Sequence, residues 1–364
     1  MDTRSKTTSD AASSCLEQCV RSEVPGLQYM VVTADRVLFE QVVGWADIRN
    51  QKAMTSDTTL MAYSMTKTFT AVAILQLAEI RKLALDDLID RYLPNAAYRG
   101  RGITLRQLLC HTSGLPNPVP LRWVHLAAEH STFDETEALM TVLRRNPDLA
   151  FEPGRKFAYS NIGYWLLGKA IEQATGQSYS AYVKANVLRP LGLSADAMDF
   201  VIPSESRHAN GYLKKYSLMN LVKGFLIDRK FVGDYEGRWL RLNGHYLNGP
   251  AFGGLIGTAR GFGRFLQDQL RGESVLFAPQ TKSLLETRQT DGAGRPIPMT
   301  LGWHVGETSG AAFFFKEGGG GGFHCEMRIY PAKGLGTVVM ANSTEFGSSR
   351  FLNCTDCVFL DARH

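Results

Sequence analysis

Ser64 and Lys67 stand three residues apart at the head of a run nearly free of charge. From Met65 to Ala78 almost every residue is apolar or small, and Lys67 is the one ionisable side chain before Glu79. So uniform a run predicts a helix buried on all sides. On a helix, residues three apart share a face, so the Ser64 hydroxyl and the Lys67 amine point together. A lysine taken out of water loses part of its preference for the charged form. Its pKa falls toward the range of a proton acceptor, each unit being about 1.4 kcal/mol. A hydroxyl beside a neutral amine, at a helix N-terminus whose field favours negative charge, reads as an activated nucleophile. Ser64 is the expected nucleophile and Lys67 its base partner.

Two further stretches carry candidate chemistry. Phe157-Ala158-Tyr159-Ser160-Asn161 precedes an apolar-striped helix from Ile162 to Thr175 that stops at Gly176, with Ser160 or Asn161 as its cap. Tyr159 then projects from the loop before the cap, where a phenol can relay protons. Lys316-Glu317 is followed by five glycines, Gly318 to Gly322. A phosphate loop would need G-K-[ST] leading into a helix, which is missing. Glycines beside a strand instead permit close backbone approach, and an N–H there could join that of Ser64 as an oxyanion hole. His111-Thr112-Ser113 offers another His–Ser pair, but a histidine in the last turn of a helix reads as a structural hydrogen-bonder.

The elements that must hold these residues are legible in outline. Leu27 to Val32 and Val37 to Val43 form a hairpin. Leu83 to Leu93 is a short segment ended by Pro94, and Thr104 with Gln107 makes a capping box. Helix Gly261 to Leu270 is followed by strands at Gly302 to Val305, Ala312 to Lys316, Phe323 to Tyr330 and Leu335 to Ala341, then a helical segment near Phe351 to Leu360. Strands at both ends and helices between predict an α/β (α+β) fold. It has one antiparallel sheet built from N- and C-terminal segments, flanked by helices, with a helical lobe inserted. We expect a single domain over 1–364, its sheet lobe at 15–62 and 251–364 and its helical lobe at 63–250. Within that lobe, 205–250 is a variable cover. Lys214 to Arg241 carries seven basic and three acidic residues among interleaved aromatics and leucines. It reads as a cover over the site, or else as a solvated helical excursion.

At 364 residues with 44% hydrophobic and 21% charged residues, the chain can bury a large core. A formal charge of +5 is mild and no nucleic-acid module is present. No run is long enough to span a bilayer. Met1 to Ser14 lacks the apolar core of a secretory signal, which predicts a cytoplasmic protein unless a signal has been removed. Cys15/Cys19 and Cys354/Cys357 have ligand-like spacing and could hold zinc if the chain ends meet. Buried small apolar residues on terminal helices are the simpler reading, and we expect neither metal nor cofactor.

Taken together, S-M-T-K, Y-S-N and K-E-G resemble, in order and spacing, the three motifs of the serine β-lactamase and penicillin-binding-protein superfamily. The tyrosine in the second motif, with L-L-C-H-T-S-G-L-P, F-E-P-G-R-K-F-A-Y-S-N and G-G-L-I-G-T-A-R, is similar to the branch holding class C β-lactamases, D-stereospecific peptidases and related esterases. The resemblance covers nearly the whole chain, residues 205–250 least. It implies an acylated Ser64, proton transfer by Lys67 and Tyr159, and Asn161 against the substrate acyl part. Lys316 would hold the hydrogen-bond network of the tyrosine. The amides of Ser64 and Gly319 would form the oxyanion hole, with Gly318 beside it. Glu317 departs from the Thr or Ser of the family. If it faces the pocket it repels substrate carboxylates, which favours neutral esters over β-lactams. The expected activity is an esterase-like serine hydrolase on a small ester or amide. The alternatives are a D-amino-acid peptidase, a lactamase, an acyltransferase, or a binding protein that has lost turnover.

Overall fold

The computed structural model describes residues 3–93, 98–118, 122–221, 228–308 and 310–361. Its centre is a seven-stranded antiparallel sheet. The strands are β1 (Gly26–Val32), β2 (Val37–Asp47), β3 (Lys52–Ala53), β4 (His304–Thr308), β5 (Ala311–Gly320), β6 (Phe323–Tyr330) and β7 (Leu335–Ala341). They lie in the order β4-β5-β6-β7-β1-β2-β3, so β1 pairs with both β2 and β7, in a register that sets Leu27 opposite Ala341. The sheet therefore joins the two ends of the chain, as the distribution of strands predicts.

Every residue of β1 and β7 is buried, because both faces are covered. Side chains alternate between two cores. Met30, Val32, Val338 and Met340 face the larger core, shared with helices α2 (Thr66–Glu79), α3 (Asn161–Thr175) and α4 (Ala259–Leu270). Leu27, Tyr29, Val31 and Val339 face a second core, closed by α1 (Thr3–Ser22) and α5 (Ser348–Leu360). Arg328 of β6 is buried on that second side. It bonds Glu326 at 2.6 Å and Asn353 at 2.7 Å and lies 3.7 Å from Asp356.

Helix α2 is buried throughout from Thr66 to Leu75, as its composition requires. Its hydroxyls are all partnered. Thr66 accepts from the Leu255 N–H, Thr68 donates to the Met65 carbonyl, and Thr70 donates to the Ala251 carbonyl. Phe69 stacks on Phe265 of α4 with ring centroids 4.2 Å apart.

Several expectations need correction. Residues 205–250 are not a helical part of the lobe. They carry a three-stranded antiparallel sheet, Gly211–Lys214, Trp239–Leu242 and Val232–Glu236, with residues 222–227 outside the described set. Gly237 at φ +65° turns the second pair, and buried Leu213, Leu240 and Leu242 form its own small core, so alternation governs here. A two-stranded ribbon of Val124–Leu126 and His245–Leu247 adjoins it. The short segment Leu83 to Leu93 carries a bridge from Leu88 to Thr104 and a 3-10 turn at Ile89–Arg91, and Pro94 lies outside the described residues. Strand β5 runs four residues past Lys316, into the glycines. The terminal helices do meet, bringing Cys15 to Cys354, but Cys19 turns toward Glu23 and Arg350. Among the described residues no group of three or more His, Cys, Asp or Glu is placed to hold a metal. Nor is any helix long and apolar enough to cross a membrane.

Candidate active site

Ser64 sits in a 3-10 turn, Tyr63–Met65, that runs directly into α2. Tyr63 holds φ at +45°, a region uncommon for a residue with a side chain. Its ring is buried, and its hydroxyl lies 2.8 Å from the Gly321 carbonyl and 3.1 Å from His245 Nε2. These contacts fix the turn from the side of the glycine strand.

Lys67 is fully buried. Its Nζ lies 2.8 Å from Asn161 Oδ1, 2.7 Å from the Phe252 carbonyl and 3.0 Å from Ser64 Oγ. Burial, reinforced by the nearby Lys316, holds the Lys67 pKa well below the usual lysine range. The two oxygens of Asn161 and Phe252 can only accept, so in its neutral form the amine would give them both its hydrogens. That would leave the lone pair for the Ser64 hydroxyl. Tyr159 Oη donates to Ser64 Oγ at 2.8 Å, and burial pushes the Tyr159 pKa up, keeping the phenol protonated. Each proton in this set then has one acceptor.

The second motif is set by the start of α3. Ser160 is the cap, its hydroxyl accepting from the Gly163 N–H at 3.3 Å and donating to the Pro116 carbonyl at 2.9 Å. Asn161 is the first helical residue, and its oxygen is engaged by Lys67. Both its backbone N–H and its Nδ2 donate to Asn117 Oδ1, at 3.0 and 3.2 Å. The structure places the Asn161 oxygen on Lys67 and its amide nitrogen on Asn117. The physical reason is the Asn117 acceptor, which orients the amide oxygen inward. His111 behaves as a structural residue. It is buried at φ +58°, its Nδ1 accepts from the Ser160 N–H at 3.2 Å, and its ring lies 4.3 Å from that of Tyr159.

Lys316 brings the third motif to the same place, but not through the expected bond. Its buried Nζ has no hydrogen-bond partner among the described residues and lies over the Tyr159 ring, 5.4 Å from the centroid. Burial lowers its pKa to about 7. Gly318 and Gly320 share the Lys316 face of β5. A Cβ at Gly318 would fall 2.1 Å from the Ala62 carbonyl oxygen and 3.0 Å from the Ser64 nitrogen, and one at Gly320 would fall 2.3 Å from the Tyr63 ring. These glycines let the strand lie against the nucleophile turn. Gly319 faces the other way, opposite His324.

Glu317 also lies on the face away from Lys316. Its carboxylate is 2.6 Å from His324 Nε2 and 3.5 Å from the Ser348 hydroxyl. The His324 hydrogen bond lowers the Glu317 pKa. Burial disfavours the charge of His324, but the bonds to Glu317 and the Thr344 carbonyl, with the charges of Glu317 and Glu326, together raise its pKa. Glu317 reaches a cavity of about 450 Å³ from its far wall. Tyr63, Gly319 and Gly320 line that cavity, whereas Ser64 itself does not. Sequence reasoning missed Asn117, His245 and His324. Asn117 and His245 work through partners distant in the chain, His324 through the strand beside it, and none falls in a recognisable pattern.

Comparison with known proteins agrees with this geometry. The Beta-lactamase family model matches residues 12–353. Protein flp of Staphylococcus aureus is 30% identical over 196 residues, which are 53% of this chain and 38% of that protein, so the match spans well under half of the relative. The D-amino acid amidase of Ochrobactrum anthropi SV3, solved with D-phenylalanine, superimposes with a TM-score of 0.78 at 20% identity, over 98% of this chain and all of that one. EstCE1, described as a hydrolase with promiscuous acyltransferase activity, gives 0.73 at 21% identity, again over 98% and 100% of the two chains. With a family match spanning nearly the whole chain, on a fold these structures share, the protein belongs to the Beta-lactamase family.

Proposed function

We propose that the protein is a serine hydrolase that forms an acyl-enzyme on Ser64 and prefers carboxylic esters. The observation that carries the reading is the environment of Lys67, a buried amine held by two fixed acceptors 3.0 Å from Ser64 Oγ, so that its neutral form would turn its lone pair to that hydroxyl. In acylation, Ser64 Oγ bonds to the ester carbonyl carbon and its proton passes to Lys67. The carbon–oxygen bond to the leaving alcohol then breaks, and that alkoxide takes a proton from Tyr159, which recovers one from Lys67 through the site. Water hydrolyses the acyl-enzyme by the same groups in reverse. Backbone N–H groups of Ser64 and Gly319 are the proposed oxyanion donors, worth about 3–4 kcal/mol where one has been removed in other enzymes.

The ester preference rests on charge. Among the described residues lining the cavity there is neither lysine nor arginine, so a substrate carboxylate has no counter-ion there. Glu317 is already taken by His324, which leaves it poorly placed to hold a substrate amine. The likeness to EstCE1 is in keeping with this preference, and that to the amidase keeps amides as the competing outcome. Hydrolysis of p-nitrophenyl acetate and butyrate by wild type and Ser64→Ala, with nitrocefin alongside, tests the reading. Ester turnover lost in Ser64→Ala, with little nitrocefin turnover, supports it. Nitrocefin turnover above ester turnover overturns the ester preference.

A further inference from the structure

The cavity beyond Tyr63 has a wall chemistry that the three motifs do not account for. Its volume of about 450 Å³ is that of a small-molecule site. Leu213, Met219, Phe231 and Leu242 reach it from the cover, and Val124 and Leu247 from the two-stranded ribbon. The polar side chains on its wall are already bonded within the protein. His245 contacts the Asn243 carbonyl and Tyr63, and Thr344 bonds the Gly320 carbonyl and the Gly322 N–H. Glu317 and His324 hold each other. Apart from the second oxygen of Glu317, a polar ligand would find these groups occupied, whereas an apolar one would cover the six apolar residues.

Contact between cover and strand keeps this wall in place. Gly322, at φ +84°, turns β5 into β6 where a Cβ would lie 2.5 Å from the Gly211 Cα, and a Cβ at Gly211 would lie 2.7 Å from the Phe323 ring. The cover sheet is thereby seated on the strand beside Ser64. Tyr63, next to Ser64 in the chain, and Gly320, packed against the Tyr63 ring, also line the cavity.

We propose that this cavity receives the uncharged, apolar acyl group of the substrate, a medium-length alkyl or an aryl chain, while its carbonyl is presented to Ser64. The assignment rests on the acyl-enzyme reading above and adds the substrate class. Each methylene that enters raises kcat/KM by up to about fourfold, from about 0.8 kcal/mol per buried CH₂.

The test compares p-nitrophenyl acetate and hexanoate, together with ethyl and hexyl acetate, in wild type, Leu242→Trp and Met219→Trp. Wild type should favour hexanoate over acetate at least tenfold, and either tryptophan should cut that ratio at least fivefold. Lengthening the alcohol of the acetates should bring no such gain. A ratio near one, a ratio unmoved by both variants, or a gain confined to the alcohol series overturns the proposal. Binding of 2-octanone to Ser64→Ala, followed by calorimetry, reads the cavity without catalysis. The ketone should bind, and at least fivefold more weakly when Leu242→Trp is added. Its failure to bind sinks the cavity assignment. Binding of the ketone with no ester hydrolysis and no fluorophosphonate labelling of Ser64 in wild type sinks the acyl-enzyme reading and leaves the cavity standing.

Discussion

Lys67 and Lys316 both lie near the Tyr159 ring, buried, and the charge of Lys316 makes a second charge on Lys67 costly. The neutral form of Lys67 is the proposed base, so kcat/KM should fall as pH drops through its depressed pKa. Removing the charge of Lys316 with Lys316→Met should let that pKa rise, moving the acid limb of the pH–rate profile to higher pH. An unmoved limb would separate the two lysines. Stability carries the same signature. A lysine whose folded pKa is about 7 binds fewer protons folded than unfolded between about 7 and its ordinary value near 10.4, so its burial destabilises less as pH rises through that window. Lys316→Met should therefore melt above wild type at pH 6 and lose the advantage toward pH 10, as thermal scans across pH would show. Tyr159→Phe removes the donor to Ser64 and leaves the stacked ring. A loss of about 10²–10⁴ in kcat with little change in Tm is expected, and a large fall in Tm would instead mark Tyr159 as structural.

At the scale of elements, the glycine strand gives the sharpest contrast. Gly318→Ala and Gly320→Ala push a methyl into the Ala62 carbonyl and the Tyr63 ring, whereas at Gly319 the nearest atom is 3.4 Å away. The first two should lose about 1–3 kcal/mol of stability and most activity, and Gly319→Ala should fold nearly as wild type. Circular dichroism melts of the three variants decide it, and equal melting would remove the close-approach argument. Much of this was legible beforehand. The uniform apolarity of 65–78, the alternation of the terminal strands and the Ser-Lys spacing are local patterns, and they gave the sheet, α2 and the Ser64–Lys67 contact. Less visible was anything depending on a distant acceptor. Asn117 orients Asn161 from across 44 residues, and His324 bonds Glu317 from the neighbouring strand. The cover was misread because interleaved aromatics and leucines suit an amphipathic helix as well as half-buried strands, and only the pairing of Gly211–Lys214 with Trp239–Leu242 resolves the choice.

Across the whole molecule, the two cores meet in the sheet, and a buried polar cluster fastens the outer layer to it. Asp356 of α5 accepts from the hydroxyls of Tyr29, Tyr330 and Thr337 on three strands, at 3.0, 2.7 and 3.0 Å. Burial raises its pKa to about 6, partly offset by Arg328. Asp356→Ala would leave three hydroxyls and part of the Arg328 charge unsatisfied, a loss of about 3–5 kcal/mol. Urea unfolding should show it, with activity per folded molecule retained, since none of these groups reaches Ser64. The pairing of β1 with β7 has a consequence for synthesis. Leu27 leaves the ribosome some three hundred residues before its partner Ala341, so β1 and the apolar α2 wait without their final neighbours while the rest of the chain is made. Such long-range closure is slow and leaves apolar surface open to aggregation. A ribosome-bound chain stalled before Leu335 should stay sensitive to protease, and native resistance should appear only once β7 has cleared the exit tunnel.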